Sequence, residues 1–137
     1  MSSGHEKLLN LQKIGQLKAE PSAPSEINGL IRAAANRLRD AKNQSNSVDS
    51  RFSLAYDAAH SLALAALRKQ GYRSENRFIV FELLPVTLAV PAGKSRFLHE
   101  CHRRRNVMLY DGDLVEDESL VAELVEVVQE LRTALTG

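Results

Sequence analysis

The stretch His99-Glu100-Cys101-His102-Arg103-Arg104-Arg105-Asn106-Val107-Met108-Leu109-Tyr110-Asp111-Gly112 gathers imidazole, guanidinium, amide and phenol groups in fourteen residues. Read as a helix, it places Leu98, Cys101, Arg105 and Met108 on one face, while Arg103 and Arg104 point elsewhere. A guanidinium on an apolar stripe needs a carboxylate, a tyrosine, a neighbouring subunit or a phosphate, because an unpaired buried charge is costly. His102 precedes Arg105 by three residues and Asn106 by four, so these side chains can converge over one turn, with Tyr110 one turn further.

Cleaving a phosphodiester without a metal takes a base for the 2′-hydroxyl proton, a cation for the phosphate and an acid for the leaving oxygen. His102, Arg105 and Tyr110, or a second histidine, have the chemistry for those roles. The competing reading is a capping and packing cluster in which Asn106 and Tyr110 tie down the helix end. No other catalytic pattern is present: Gly-rich phosphate loops, zinc-ligand spacing and nucleophile elbows are absent. His99 and His102 lie three apart, but no carboxylate pair accompanies them and Cys101 phases away, so neither a metal nor a cofactor is expected. His60 reads as a structural or surface histidine.

The formal net charge is only +1, yet it hides two opposed blocks. Arg68 to Arg105 holds nine basic residues against three acids; from Asp111 onward eight acids face one base, Arg132. Either these are solvated faces of neighbouring helices that attract one another, or they form a basic phosphate-binding face walled by an acidic helix. In the second reading Arg73, Arg77, Arg103 and Arg104 join Asn106 as substrate-holding candidates.

The chain that must position these groups has 137 residues, 44% hydrophobic and 26% charged, which suits one folded domain with its own core. Residues 1–24 read as a short helix and a Pro-containing linker, and 25–137 as the bundle. The single cysteine, the lack of a signal-peptide pattern and the lack of a long apolar run point to a cytoplasmic protein with no membrane span.

Leu8, Leu11 and Ile14 predict a short helix between His5 and Leu17, weakened by Gly15. Pro21-Ser22-Ala23-Pro24 interrupts, and Ser25 is placed to cap a helix running to about Lys42. After the polar loop Asn43–Ser47, Ser47 or Asp49 caps a long helix ending at Gly71 in the C′ position. Its apolar residues cover so much of the circumference that it should be central, packed on two sides.

Ser74 is placed to cap a further helix with Phe78, Phe81 or Val80, and Leu84 inward, ended or kinked by Pro85. Val86–Val90 has no partner strand and reads as helix continuation or packed loop, so no β-sheet is expected. Lys94 or Ser95 opens the fourth main helix, broken at Asp111-Gly112-Asp113, and Asp117 caps the last. The sum is an all-α, antiparallel bundle of five or six helices.

Arg105-Asn106 followed by Tyr110, late in a small α bundle, resembles the Arg-Asn-x-x-x-His motif of the HEPN superfamily, with tyrosine in the histidine position. Arg51-Phe52-x-Leu54-Ala55-Tyr56-x-Ala58-Ala59-His60, Ala66-Leu67-Arg68-x-x-Gly71-Tyr72-Arg73, Asn76-Arg77-Phe78 and Cys101-His102-x-x-Arg105-Asn106-x-x-x-Tyr110-x-Gly112 are similar to small stand-alone bacterial HEPN-like proteins. The resemblance covers most of the chain from about Ser25 to Leu135. It implies a homodimer meeting through the fourth main helix and a role in RNA, nucleotide or partner binding. It also implies a stress, defence or toxin–antitoxin setting, beside a nucleotidyltransferase-type partner.

Carried over, Arg105 holds phosphate and Asn106 orients it. Tyr110 is the departure. With a reference pKa of roughly 10 a tyrosine is a poor base at neutral pH, which leaves His102 for that role. Two functions follow: a non-catalytic or weakly catalytic binding module, favoured here, and a metal-independent ribonuclease using Arg105 with His102 and Tyr110.

Overall fold

The structure, a computed structural model, describes residues 3–137. Met1 and Ser2, which the single-domain reading included, lie outside the described residues. The elements are α1 (Ser3–Lys13), β1 (Lys18–Ala19), α2 (Pro24–Ala41), α3 (Val48–Lys69), β2 (Tyr72–Arg73), α4 (Arg77–Glu82), α5 (Leu84–Thr87), α6 (Ala92–Asp111) and α7 (Glu118–Thr136). The protein is mostly helical, as its 3.6-residue periodicity predicts. Among the described residues no helix is long and apolar enough to cross a membrane.

α3 is the axis of the bundle. Six of its alanines (Ala55, Ala58, Ala59, Ala63, Ala65 and Ala66) and Phe52, Leu62 and Leu67 are buried, and the short side chains let α2 on one side and α7 on another approach closely. The buried residues of α1, α2, α3, α4, α6 and α7 form one cluster.

Ion pairs at the helix ends give the directions. Arg51, at the start of α3, donates to the Ala41 carbonyl at the end of α2, while Arg68, near the end of α3, pairs with Glu26 in the first turn of α2. α2 and α3 are therefore antiparallel. α6 also runs against its neighbours, since Lys94 at its start meets Glu130 late in α7 and Arg105 late in it meets Asp57 early in α3. α3 and α7 depart from the expected antiparallel pattern. Arg51 pairs with Glu118 at the starts of both helices, and Lys69 and Gln70 line a hollow with Ala134 and Leu135 at their ends, so the two are parallel. The intervening α4, α5 and α6 supply the crossover.

Among the described residues seven helices replace the expected five or six because Pro85 ends α4 and starts the one-turn α5 instead of kinking a single helix. Leu88 and Val90 then continue as packed loop. The expected absence of a sheet also fails: Lys18 pairs with Arg73 and Ala19 with Tyr72 in a two-stranded antiparallel ladder. Two residues per strand are too few to show a period of two in the sequence.

Several caps differ from expectation. α2 begins with Pro24 at its first position behind Ala23, not at Ser25. α4 is capped by Asn76, whose side chain accepts from the Ile79 N–H, whereas Ser74 accepts from Asn76. α6 starts at Ala92; Ser95 is inside it, buried, and donates to the Phe81 carbonyl at 2.7 Å. Ser47 and Asp117 cap α3 and α7 as expected, and Gly71 (φ +85°) and Gly112 (φ +70°) take the left-handed positions that end α3 and α6.

Candidate functional site

Arg105 sits one-fifth exposed on the inner flank of α6 and finds its carboxylate within the same chain: its Nη1 donates to Asp57 Oδ1 of α3 at 2.8 Å. Its guanidinium also lies over the Tyr56 ring, 5.1 Å from the centroid, in cation–π contact. Of the partners the sequence allowed for this cation, a carboxylate and a tyrosine of the same chain are the ones present, so its place on the apolar side does not by itself require a second subunit. Arg77, opening α4, approaches the same two residues, 3.9 Å from Asp57 and 5.5 Å from the Tyr56 ring centroid.

The buried ring of Tyr56 packs edge-on against Phe81 and brings its hydroxyl 2.6 Å from His102 Nδ1. The other imidazole nitrogen, Nε2, is 3.3 Å from the Asn106 amide nitrogen. With an amide N–H facing Nε2, that nitrogen accepts and Nδ1–H donates to the Tyr56 oxygen, so the ring is held from both ends. Burial lowers the His102 pKa, and repulsion from Arg77, His99 and Arg105 adds to it, leaving the imidazole neutral at neutral pH. Burial likewise raises Tyr56 above the usual phenol value, against the pull of Arg77 and Arg105, so it keeps its proton.

Tyr56, Arg77, His102, Arg105, Asn106 and Leu109 together line a hollow of about 110 Å³. Two guanidiniums against one carboxylate leave it cationic. Size alone does not mark it, since a hollow of about 480 Å³ between Ile27, Ile31 and Leu135 holds only Lys69 of ionisable groups. Among the described residues, no three His, Cys, Asp or Glu side chains gather as a metal-binding group. Cys101 is fully buried, with its thiol pushed up to about 12, and is chemically inert.

Of the residues singled out in the sequence, the structure brings His102, Arg105, Asn106 and Arg77 together. Tyr110 is 82% exposed and does not line the hollow. Arg103 is held by Glu100 on the solvent side and Arg104 faces Asp113 at 3.7 Å. Arg73 bridges Glu20 and Glu26 at the far end of α3. Most of the basic block is thus paired with carboxylates of the chain, but only Lys94, to Glu130, and Arg104, to Asp113, meet the C-terminal acidic block; the other partners are Glu20, Glu26, Asp57 and Glu100, so the two blocks are not chiefly each other's counter-charge. Tyr56 reads in the sequence only as part of an apolar stretch and Asp57 carries no motif, because both lie nearly fifty residues from the α6 groups that they meet. An acid beside a tyrosine on an otherwise apolar face was the available signal. Comparison with known proteins adds no relative: no protein-family model, no curated protein and no solved structure matches the chain.

Proposed function

We propose that the protein is a HEPN-like, non-catalytic or weakly catalytic module that holds a phosphate group of RNA or of a nucleotide in the hollow on α6. The observation that carries this reading is the convergence of Arg77 and Arg105, from different helices, on one small hollow beside a neutral imidazole and an amide. Guanidiniums match phosphate oxygens through paired N–H donors, and Asn106 adds an uncharged donor. Asp57 holds Arg105 in place while the site is empty, and an incoming phosphate competes with it for the same N–H groups.

Metal-free RNA cleavage is the second reading, favoured by one feature: His102 is neutral, and its Nε2 is a base once the Asn106 amide turns from it to the phosphate. An acid is the missing part. Tyr56 keeps its proton too firmly, and Tyr110 lies outside the hollow of its own chain. A homodimer through the C-terminal half of α6 would supply a second Tyr110, and the exposed Leu109 and Tyr110 of that half offer apolar surface for such a contact.

Incubating the protein with RNA in metal-free buffer separates the two. Recovery of intact RNA bound to the wild type but not to Arg105→Ala is the expected result. RNA cut by the wild type and spared by His102→Ala establishes cleavage instead, and failure to bind RNA, nucleotide or inorganic phosphate at low salt refutes both.

A further inference from the structure

The α6 face that carries the hollow continues beyond it. His99 lies one turn before His102, about 4.5 Å along the helix axis. Phe78, from the first turn of α4, lies flat on its imidazole: the ring centres are 4.0 Å apart and the planes 10° from parallel. His99 is anchored in turn by Glu82, 2.8 Å from its Nε2. Phe78 is nonetheless 52% exposed, against the inward position its spacing predicts. The stack covers one face of the phenyl ring and leaves the other to solvent.

Arg77, the residue before Phe78 in the chain, lines the hollow. Phe78 and its stacking partner His99 thus lie next to Arg77 on α4 and one turn from His102 on α6, two of the helices whose residues line the cationic pocket. Leu109 bounds that pocket on the opposite side along α6, so the apolar groups flank the cations and do not cover them. A nucleotide has the matching pair of groups, a flat base and a phosphate.

We propose that Phe78 is a stacking platform for an unpaired base of an RNA strand whose phosphate occupies the Arg77–Arg105 hollow. The inference rests on the phosphate-binding reading and adds the form of the ligand, single-stranded RNA. A paired base is sandwiched between its neighbours and has no free face to offer, whereas an unstacked one can lie on an aromatic ring. Every base has such a face, so this site selects strandedness and not sequence. His99 and Glu82 are positioning residues that hold the ring before the strand arrives.

The test measures binding of a short mixed-sequence single-stranded RNA, the same RNA as a duplex, and inorganic pyrophosphate, to wild type, Phe78→Ala and Phe78→Tyr. The wild type should prefer the single strand. Phe78→Ala should weaken single-strand binding about tenfold or more and leave pyrophosphate binding unchanged, and Phe78→Tyr, which keeps a ring, should bind as the wild type does. Single-strand binding indifferent to Phe78→Ala, equal affinity for the duplex, or pyrophosphate binding with no RNA binding would each overturn the stacking platform alone. Absence of binding to pyrophosphate and to both RNAs would overturn the phosphate-binding reading beneath it.

Discussion

At the residue scale the site is set by Asp57, which both orders Arg105 and competes with any anion for it. Replacing it with asparagine keeps an amide oxygen for the guanidinium to donate to but raises the local charge by one. Asp57→Asn should therefore bind inorganic phosphate several-fold more tightly, as measured by calorimetry; weaker binding would mean that the carboxylate's ordering of Arg105 outweighs its competition.

His60, one turn beyond Tyr56 on α3 and edge-on to Phe81, has its pKa lowered to about 4, by burial first and then by Arg77. Asp57 opposes the shift and His102 adds to it. Since the folded pKa lies below the ordinary value of about 6.5, the unfolded chain takes up the proton first. Stability is thus full above pH 6.5 and declines as pH falls toward 4, by about 2–3 kcal/mol from this group. His60→Leu should flatten that decline in denaturant titrations at pH 7, 5.5 and 4; an unchanged slope would show that His60 does not carry it.

At the scale of elements, Arg68 does what helix periodicity cannot. Although it is 1% exposed, its guanidinium donates to the Glu26 carboxylate and to the carbonyls of Glu20, Pro21 and Tyr72. Five donors of one planar group thereby fasten the segment before α2 and the strand β2 to the end of α3. Glu20 and Glu26 are held below the usual carboxylate range mainly by their bonds to Arg73 and Arg68 respectively.

Arg68→Met retains much of the volume but strands those carbonyls, and a buried acceptor such as that of Tyr72 left without its donor costs about 1–3 kcal/mol. The thermal midpoint should fall, and hydrogen exchange should accelerate first in residues 14–23, with α6 less affected. Uniform acceleration across all helices would show that this end of α3 is no separate latch.

For the whole molecule, the pairing of the basic block bears on salt dependence. Arg68, Arg73, Lys94, Arg103 and Arg104 already face carboxylates and Lys69 and Arg96 are exposed away from the hollow's lining, which leaves Arg77 and Arg105, sharing Asp57, to meet phosphate there. Two phosphate contacts give a slope of log affinity against log salt of roughly −1.4 for single-stranded RNA. A slope several times steeper would mean that the paired arginines exchange their partners for RNA. Light scattering tests the proposed dimer: a dimer mass that Leu109→Glu converts to monomer is expected, and a monomer mass for the wild type at micromolar concentration would refute it.

The sequence by itself determined the elements that rest on local or near-neighbour physics. The α3 stripe, the caps at Ser47 and Asp117 and the glycine stops at 71 and 112 each follow from spacings of a few residues. His102, Arg105 and Asn106 were legible for the same reason, because one turn of helix aligns them before any tertiary contact forms.

Only the tertiary structure decided what α6 meets. That Arg105 finds Asp57 within its own chain depends on how α3 and α6 cross, and so do the Tyr56 clasp on His102 and the exclusion of Tyr110 from the hollow. The two-residue ladder and the outward turn of Phe78 belong with them. Such contacts join residues far apart in the chain, and a repeat of 3.6 residues contains no information about which helices lie side by side.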